Sequence, residues 1–122
     1  MATKLDILVW DDSFRRVRHL QQMFPAKSIR KAIDSDDFVE GLSHSPKLVI
    51  IGQQQEQTEE QLKQTFKDEL TEETYVLIWY VGENNRETVD ALQAVDQITY
   101  ASGFSFTSQY LWISTYNILK NG

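Results

Sequence analysis

Three short runs, residues 5–10 (LDILVW), 48–51 (LVII) and 75–81 (YVLIWYV), are apolar at nearly every position rather than at every second one. A strand with one wet face alternates, whereas a strand that is apolar throughout must be covered on both sides. That is the habit of parallel sheets, whose crossover connections place helices on both faces. The runs are too short for core helices and rich in branched and aromatic side chains, so they read as buried strands.

The segments between them carry helical spacing. Phe14, Val17, Leu20, Gln21 and Phe24 fall on one helix face, with Ser13 as a cap and Pro25 as the stop. Residues 28–33 form a weaker strand candidate, followed by a short helix from about Asp36 that carries Phe38, Val39 and Leu42. Gly52 ends the strand at 48–51, and residues 53–57 (QQQEQ) read as a solvated loop. Residues 58–70 are predicted helical, capped by Thr58, with Leu62, Phe66 and Leu70 repeating every four positions. Gly82 ends the strand at 75–81, residues 85–95 form a helix with Val89, Leu92 and Val95 inward, and residues 97–100 form a short strand broken by Ser102-Gly103. A closing helix spans 107–120. Five strand–helix units in 122 residues, with no long linker and no repeat, predict a single α/β domain over 1–122. The architecture that fits is a flavodoxin-like (βα)5 three-layer sandwich with a five-stranded parallel sheet of order 2-1-3-4-5.

Charge narrows the partners. Eighteen acids against twelve Lys and Arg give a net charge of -6, which opposes a nonspecific hold on nucleic acid or on an anionic membrane. The absence of cysteine removes disulfides, thiolate nucleophiles and zinc–thiolate sites, and fits a reducing compartment. No apolar run approaches the ~20 residues of a membrane span, and Asp6, Asp11 and Asp12 interrupt any secretory leader at the start. A cytoplasmic protein is expected.

Open α/β sheets keep their ligands beyond the carboxyl ends of the strands. The first strand stops there at Asp11-Asp12, followed by Ser13. Here the residues resemble the receiver domains of two-component response regulators over essentially the whole chain. Residues 7–13 (ILVWDDS) resemble the family's first strand and acidic pair, residues 46–51 (PKLVII) its third strand, residues 75–80 (YVLIWY) its fourth and residues 96–100 (DQITY) its fifth. The resemblance implies a Mg²⁺ site built from two acids after the first strand and an aspartate ending the third, the latter being the phosphoacceptor. Counting along residues 48–51 places that acceptor on Gly52, which has no side chain to esterify. The family's small hydroxyl residue after the fourth strand corresponds to Tyr80, or to Val81 with a slip of one; its lysine corresponds to Ala101 and the following proline to Ser102. No lysine lies between Lys67 and Lys120. What the resemblance implies is therefore a pseudoreceiver: an atypical receiver that has lost phosphoryl chemistry, is not an enzyme, needs no cofactor and signals through protein contact.

Alternatives remain beside it. Asp11 and Asp12 could hold a divalent cation such as Mg²⁺, or stand there because a helix N-terminus favours acids. Gly52 reads as a turn glycine ending the strand or as a mark of backbone approach to a ligand. Arg15, Arg16, Arg18 and His19 form a basic stripe on the first helix, either a solvated face or a surface for an anionic partner; His19 and His44 have no catalytic company. A small nucleotide- or flavin-binding protein is the remaining class, although G-x-G-x-x-G and P-loop motifs are missing. In the last helix Leu111 and Ile118 share one face, while Trp112, Tyr116 and Leu119 share another, more apolar surface than one core-facing stripe can bury. Receivers use their fourth helix, fifth strand and fifth helix as a dimer and output surface. Tyr100, Phe104, Phe106, Trp112 and Tyr116 are accordingly expected to contribute to a surface for a protein partner or a homodimer.

Overall fold

The computed structural model describes residues 5–11, 13–52, 59–70, 72–79, 86–104, 116–117 and 119–120. Strands β1 (Ile7–Trp10), β2 (Ile29–Lys31), β3 (Leu48–Ile51), β4 (Thr74–Trp79) and β5 (Ile98–Phe104) alternate with helices α1 (Phe14–Met23), α2 (Ser35–Leu42), α3 (Glu59–Glu69) and α4 (Arg86–Gln93). The strands pair in parallel in the order β2-β1-β3-β4-β5, the order expected from the sequence. In the closing segment, residues 116–117 and 119–120 are helical.

Why these runs are apolar at every position is visible in the two cores. Successive side chains of a strand point to opposite faces. Leu8, Trp10, Val49, Ile51, Val76 and Ile78 enter one core together with Phe38 of α2, Phe66 of α3 and Leu92 of α4. Ile7, Val9, Leu48, Ile50 and Leu77 enter the other with Val17, Leu20 and Phe24 of the α1 segment and with Leu119. Trp10 stacks on Phe38 with ring centroids 4.5 Å apart, and Phe38 meets Phe66 edge-on at 5.8 Å, so three elements share one aromatic column.

Local chemistry sets the ends. Asp34 caps α2, its carboxylate accepting from the Asp37 amide at 2.8 Å, and the helix starts one residue earlier than its periodicity suggests. The Thr74 hydroxyl donates to the Pro46 carbonyl at 2.8 Å in a buried bond that ties the start of β4 to the entry of β3.

The fifth strand departs most from expectation. Ser102-Gly103 does not break the fifth strand: residues 98–104 pair along β4, with Ser102 opposite Leu77, Gly103 opposite Ile78 and Phe104 opposite Trp79. A partner strand with six paired positions outweighs the weak strand propensity of Ser and Gly.

Candidate functional site

The carboxyl ends of β1 and β3 lie level. Trp10 pairs with Ile51, and the Gly52 amide donates to the Trp10 carbonyl at 2.9 Å. This brings Asp11 and Gly52 side by side at the edge where an open parallel sheet keeps its ligands. Asp11 is 1% exposed, one of two buried polar side chains among the described residues, the other being Thr74. A carboxylate in that position needs hydrogen bonds. Oδ1 accepts from the Ser13 amide at 2.8 Å, which fixes the turn into α1. The Ser13 carbonyl then accepts from the Val17 amide, so Ser13 opens the helix as expected.

The second oxygen explains the glycine. A Cβ on residue 52 would stand 2.0 Å from Asp11 Oδ2 and 2.3 Å from its Cγ, well inside any real contact. The Gly52 backbone does not occupy the left-handed region. Conformational freedom at a turn is thus not what glycine supplies here; the missing Cβ is, because the Asp11 carboxylate lies against the backbone. Neither sequence reading of Gly52, a turn glycine or a backbone approach to a ligand, names this neighbour, which is the chain's own Asp11 side chain.

The other expected site residues fall as follows. Asp12 and Tyr80 lie outside the described residues, as do Phe106 and Trp112. Ala101 is misplaced by simple counting. It is 1% exposed and sits inside β5 opposite Val76, while the strand reaches the carboxyl edge at Phe104 opposite Trp79. The extra length of β5 moves the edge position from Ala101 to the neighbourhood of Phe104, where the sequence also has no lysine. Tyr100 and Phe104 belong to β5 by their backbones, and their side chains lie outside what is described. Tyr116 is 46% exposed whereas Leu119 is buried beneath α1, so the two do not share a face. Helical periodicity predicted that they would, but residues three apart are offset by about 60° around the axis, enough for one to enter the core. The Lys47 ammonium donates to the Leu119 carbonyl at 3.1 Å and pins the end of that helix to the start of β3.

The Mg²⁺ set implied by the resemblance does not fit these residues. Gly52 brings no oxygen-bearing side chain, and one Asp11 oxygen is committed to the Ser13 amide. Among the described residues no three His, Asp or Glu side chains gather in a metal-binding arrangement. His19 is exposed and His44 half-buried in the turn after α2. A cavity lined by Asp6, Pro46, Lys47, Glu73, Tyr75 and Thr99 opens at the opposite, amino-terminal end of the strands. No helix among the described residues is long and apolar enough to cross a membrane.

Two features escaped sequence reading. Arg30 of β2 pairs with Asp37 of α2 and reaches Glu40 at 3.5 Å. The hydrogen bond from Arg30 holds the Asp37 carboxyl below its ordinary range, and Asp37 in turn raises Arg30. The signal was faint, since only the fold brings the strand and the helix together. The second is the exposure of Phe14 and Ile33, which periodicity had assigned to the helix face and to a strand.

By sequence the chain matches no family model and no curated protein. Its fold does match solved structures. A response regulator receiver domain protein from Bacillus halodurans C-125 superposes with a TM-score of 0.69 at 14% identity, covering 95% of this chain and 97% of that one. A putative pilus assembly-related protein from Burkholderia pseudomallei K96243 superposes with a TM-score of 0.57, also at 14% identity, over 98% of this chain and 92% of its own. Identity this low speaks to architecture alone, and the architecture is that of a receiver domain: a flavodoxin-like five-stranded parallel sheet between two layers of helices.

Proposed function

We propose that this chain is a receiver-like signalling module that works by protein contact and without phosphoryl transfer at its central strand. The observation that carries this reading is the Asp11–Gly52 contact: the position that ends β3 has no side chain, and the space a side chain there would need is filled by the Asp11 carboxylate. A phosphoacceptor would have to displace that carboxylate, which is buried and bonded to the Ser13 amide. On this reading the domain is a pseudoreceiver, neither an enzyme nor a cofactor carrier, and Asp11 serves to shape the β1–α1 turn. Signalling then depends on a partner or on concentration, since a ligand shifts a conformational equilibrium only by its differential affinity for the states. The face formed by α4, β5 and the last helix, with Tyr100, Phe104, Phe106, Trp112 and Tyr116, is the proposed contact surface, supported by its aromatic density.

Incubation with acetyl phosphate and Mg²⁺ followed by intact-mass measurement tests the central point. The expected result is an unmodified chain. A stoichiometric acid-labile phosphoryl adduct that hydroxylamine removes, on a carboxylate at the carboxyl edge of the sheet, would overturn the reading.

A further inference from the structure

Residues 13–33 contain six of the twelve Lys and Arg residues and none of the eighteen acids. The rest of the chain is left with six cations against those eighteen acids. The fold turns this bias in sequence into a face. Residues 13–33 form α1 and β2, the edge strand beside β1; acids border β2 at both ends, Asp6 accepting from the Ser28 amide and Asp37 from the Ile33 amide, so among the described side chains the unpaired cations are those of α1 together with Lys27 and Lys31.

On that side Arg15, Arg18, His19 and Lys27 are exposed. Of the three large apolar residues exposed among the described residues, two lie here: Phe14, 71% exposed at the start of α1, and Ile33, 76% exposed just past β2. The Lys31 ammonium stands 4.6 Å from the centre of the Phe14 ring, which ties the start of α1 to β2, and the Ile33 amide donates to Asp37 just beyond that strand. Among the described side chains of this segment, Arg30 is the cation paired with acids, Asp37 and Glu40 of α2.

We propose that the α1–β2 face docks an acidic protein segment that carries an aliphatic or aromatic anchor, the acids meeting Arg15, Arg18 and Lys31 and the anchor covering Phe14 and Ile33. Charge complementarity selects an anionic partner. The two exposed apolar side chains select one with apolar groups, because burying them rewards a partner that brings its own hydrophobic contact. An extended nucleic acid is disfavoured by charge, because it would run past the basic face into the field of the remaining acids. A second copy of this chain could supply the acids, but the third exposed apolar residue, Tyr116, has the Lys120 ammonium 5.8 Å from its ring and would bring a cation to a basic face. This surface uses neither α4 nor β5, although Lys27 lines a cavity with Tyr116 and Lys120 of the closing segment, and it is independent of whether β3 accepts phosphate.

The full chain, labelled with ¹⁵N, is titrated with a synthetic peptide of Asp and Glu carrying Leu and Phe anchors. Parallel titrations use the same peptide with its anchors replaced by Ser, a single-stranded oligonucleotide of equal charge, and phosphatidylserine vesicles. The anchored peptide is expected to shift amides within residues 13–33 and to weaken as salt rises. Arg18→Glu is expected to flatten the salt dependence, and Phe14→Ser to weaken binding about tenfold. Both side chains are exposed, so thermal unfolding followed by circular dichroism should be unchanged. Absence of shifts in residues 13–33, equal binding by the anchorless peptide, or tighter binding by the oligonucleotide or vesicles would overturn the proposal. So would self-association abolished by Arg18→Glu in light scattering, which would assign the face to a second copy.

Discussion

A carboxylate folded against a glycine makes two residues one unit, and their energetics should be coupled. Gly52→Ala places a methyl group where Asp11 Oδ2 now lies, and the substitution is expected to destabilise the protein by about 2 kcal/mol. In an Asp11→Ala background the same methyl meets space, and its cost should fall below about 0.5 kcal/mol. Urea unfolding of the four proteins of this cycle gives the coupling directly; additive effects would show that the two residues do not touch. Asp37 supports a prediction in pH. Its carboxyl is held low by the Arg30 hydrogen bond, so the folded state binds its proton less readily than the unfolded chain does. The stabilisation is therefore present above the ordinary carboxylate pKa of about 4 and is lost as pH falls through the depressed folded value. Asp37→Asn should cost about 1 kcal/mol at neutral pH, discounted because both side chains are partly exposed. The gap between variant and parent in urea melts should close on acidification. At this scale the sequence displayed Gly52 and the acid beside it in space, but not their contact, which depends on how two strands forty residues apart are registered.

Elements meet here through small residues at crossings. Gly41 faces β1 from α2, and a Cβ at that position would stand 2.5 Å from Leu8 Cδ1. In an isolated helix Gly→Ala gains about 1 kcal/mol of propensity. Against a fully buried Leu8 in a close-packed core, Gly41→Ala is instead expected to lower stability by about 1 kcal/mol. Leu8→Val removes the crowding atoms, and in that background Gly41→Ala should be neutral or stabilising by thermal unfolding. The elements themselves were largely legible: β1, β3 and β4 from unbroken apolar runs, and α1 and α3 from their spacing. Where reading failed, a neighbour had overruled local propensity. β5 runs on through Ser102-Gly103 because β4 offers it partners up to Trp79. β2 shrinks to three residues, all half-buried, as suits an edge strand with one neighbour.

For the whole molecule, the proposed contact surface at the last helix predicts concentration-dependent behaviour. Size-exclusion chromatography with light scattering should detect a dimer at high concentration, or partner binding, that Trp112→Ala weakens at least about tenfold; a monomer with unchanged binding would remove that surface from consideration. Asymmetry of charge is also a property at this scale. The count of -6 argued only against polyanion binding, whereas the fold gathers the cations of residues 13–33 along α1 and β2, with Asp6, bonded to Ser28, and Asp37, bonded to Arg30 and the Ile33 amide, at their border.

The sequence by itself determined the layers, the strand order and which strand ends bring Asp11 and Gly52 to the carboxyl edge of the sheet. Those follow from local patterns: apolar runs too short for helices, helical spacing between them, and the right-handed crossovers that link parallel strands. Tertiary structure alone decided that the Asp11 carboxylate fills the space above Gly52, that Ala101 lies inside a strand rather than at its end, and that Phe14, beside the Lys31 ammonium, and Ile33 face outward. Each of these depends on the register between strands or the packing of one element on another, and register is a relation between distant residues that no local pattern encodes.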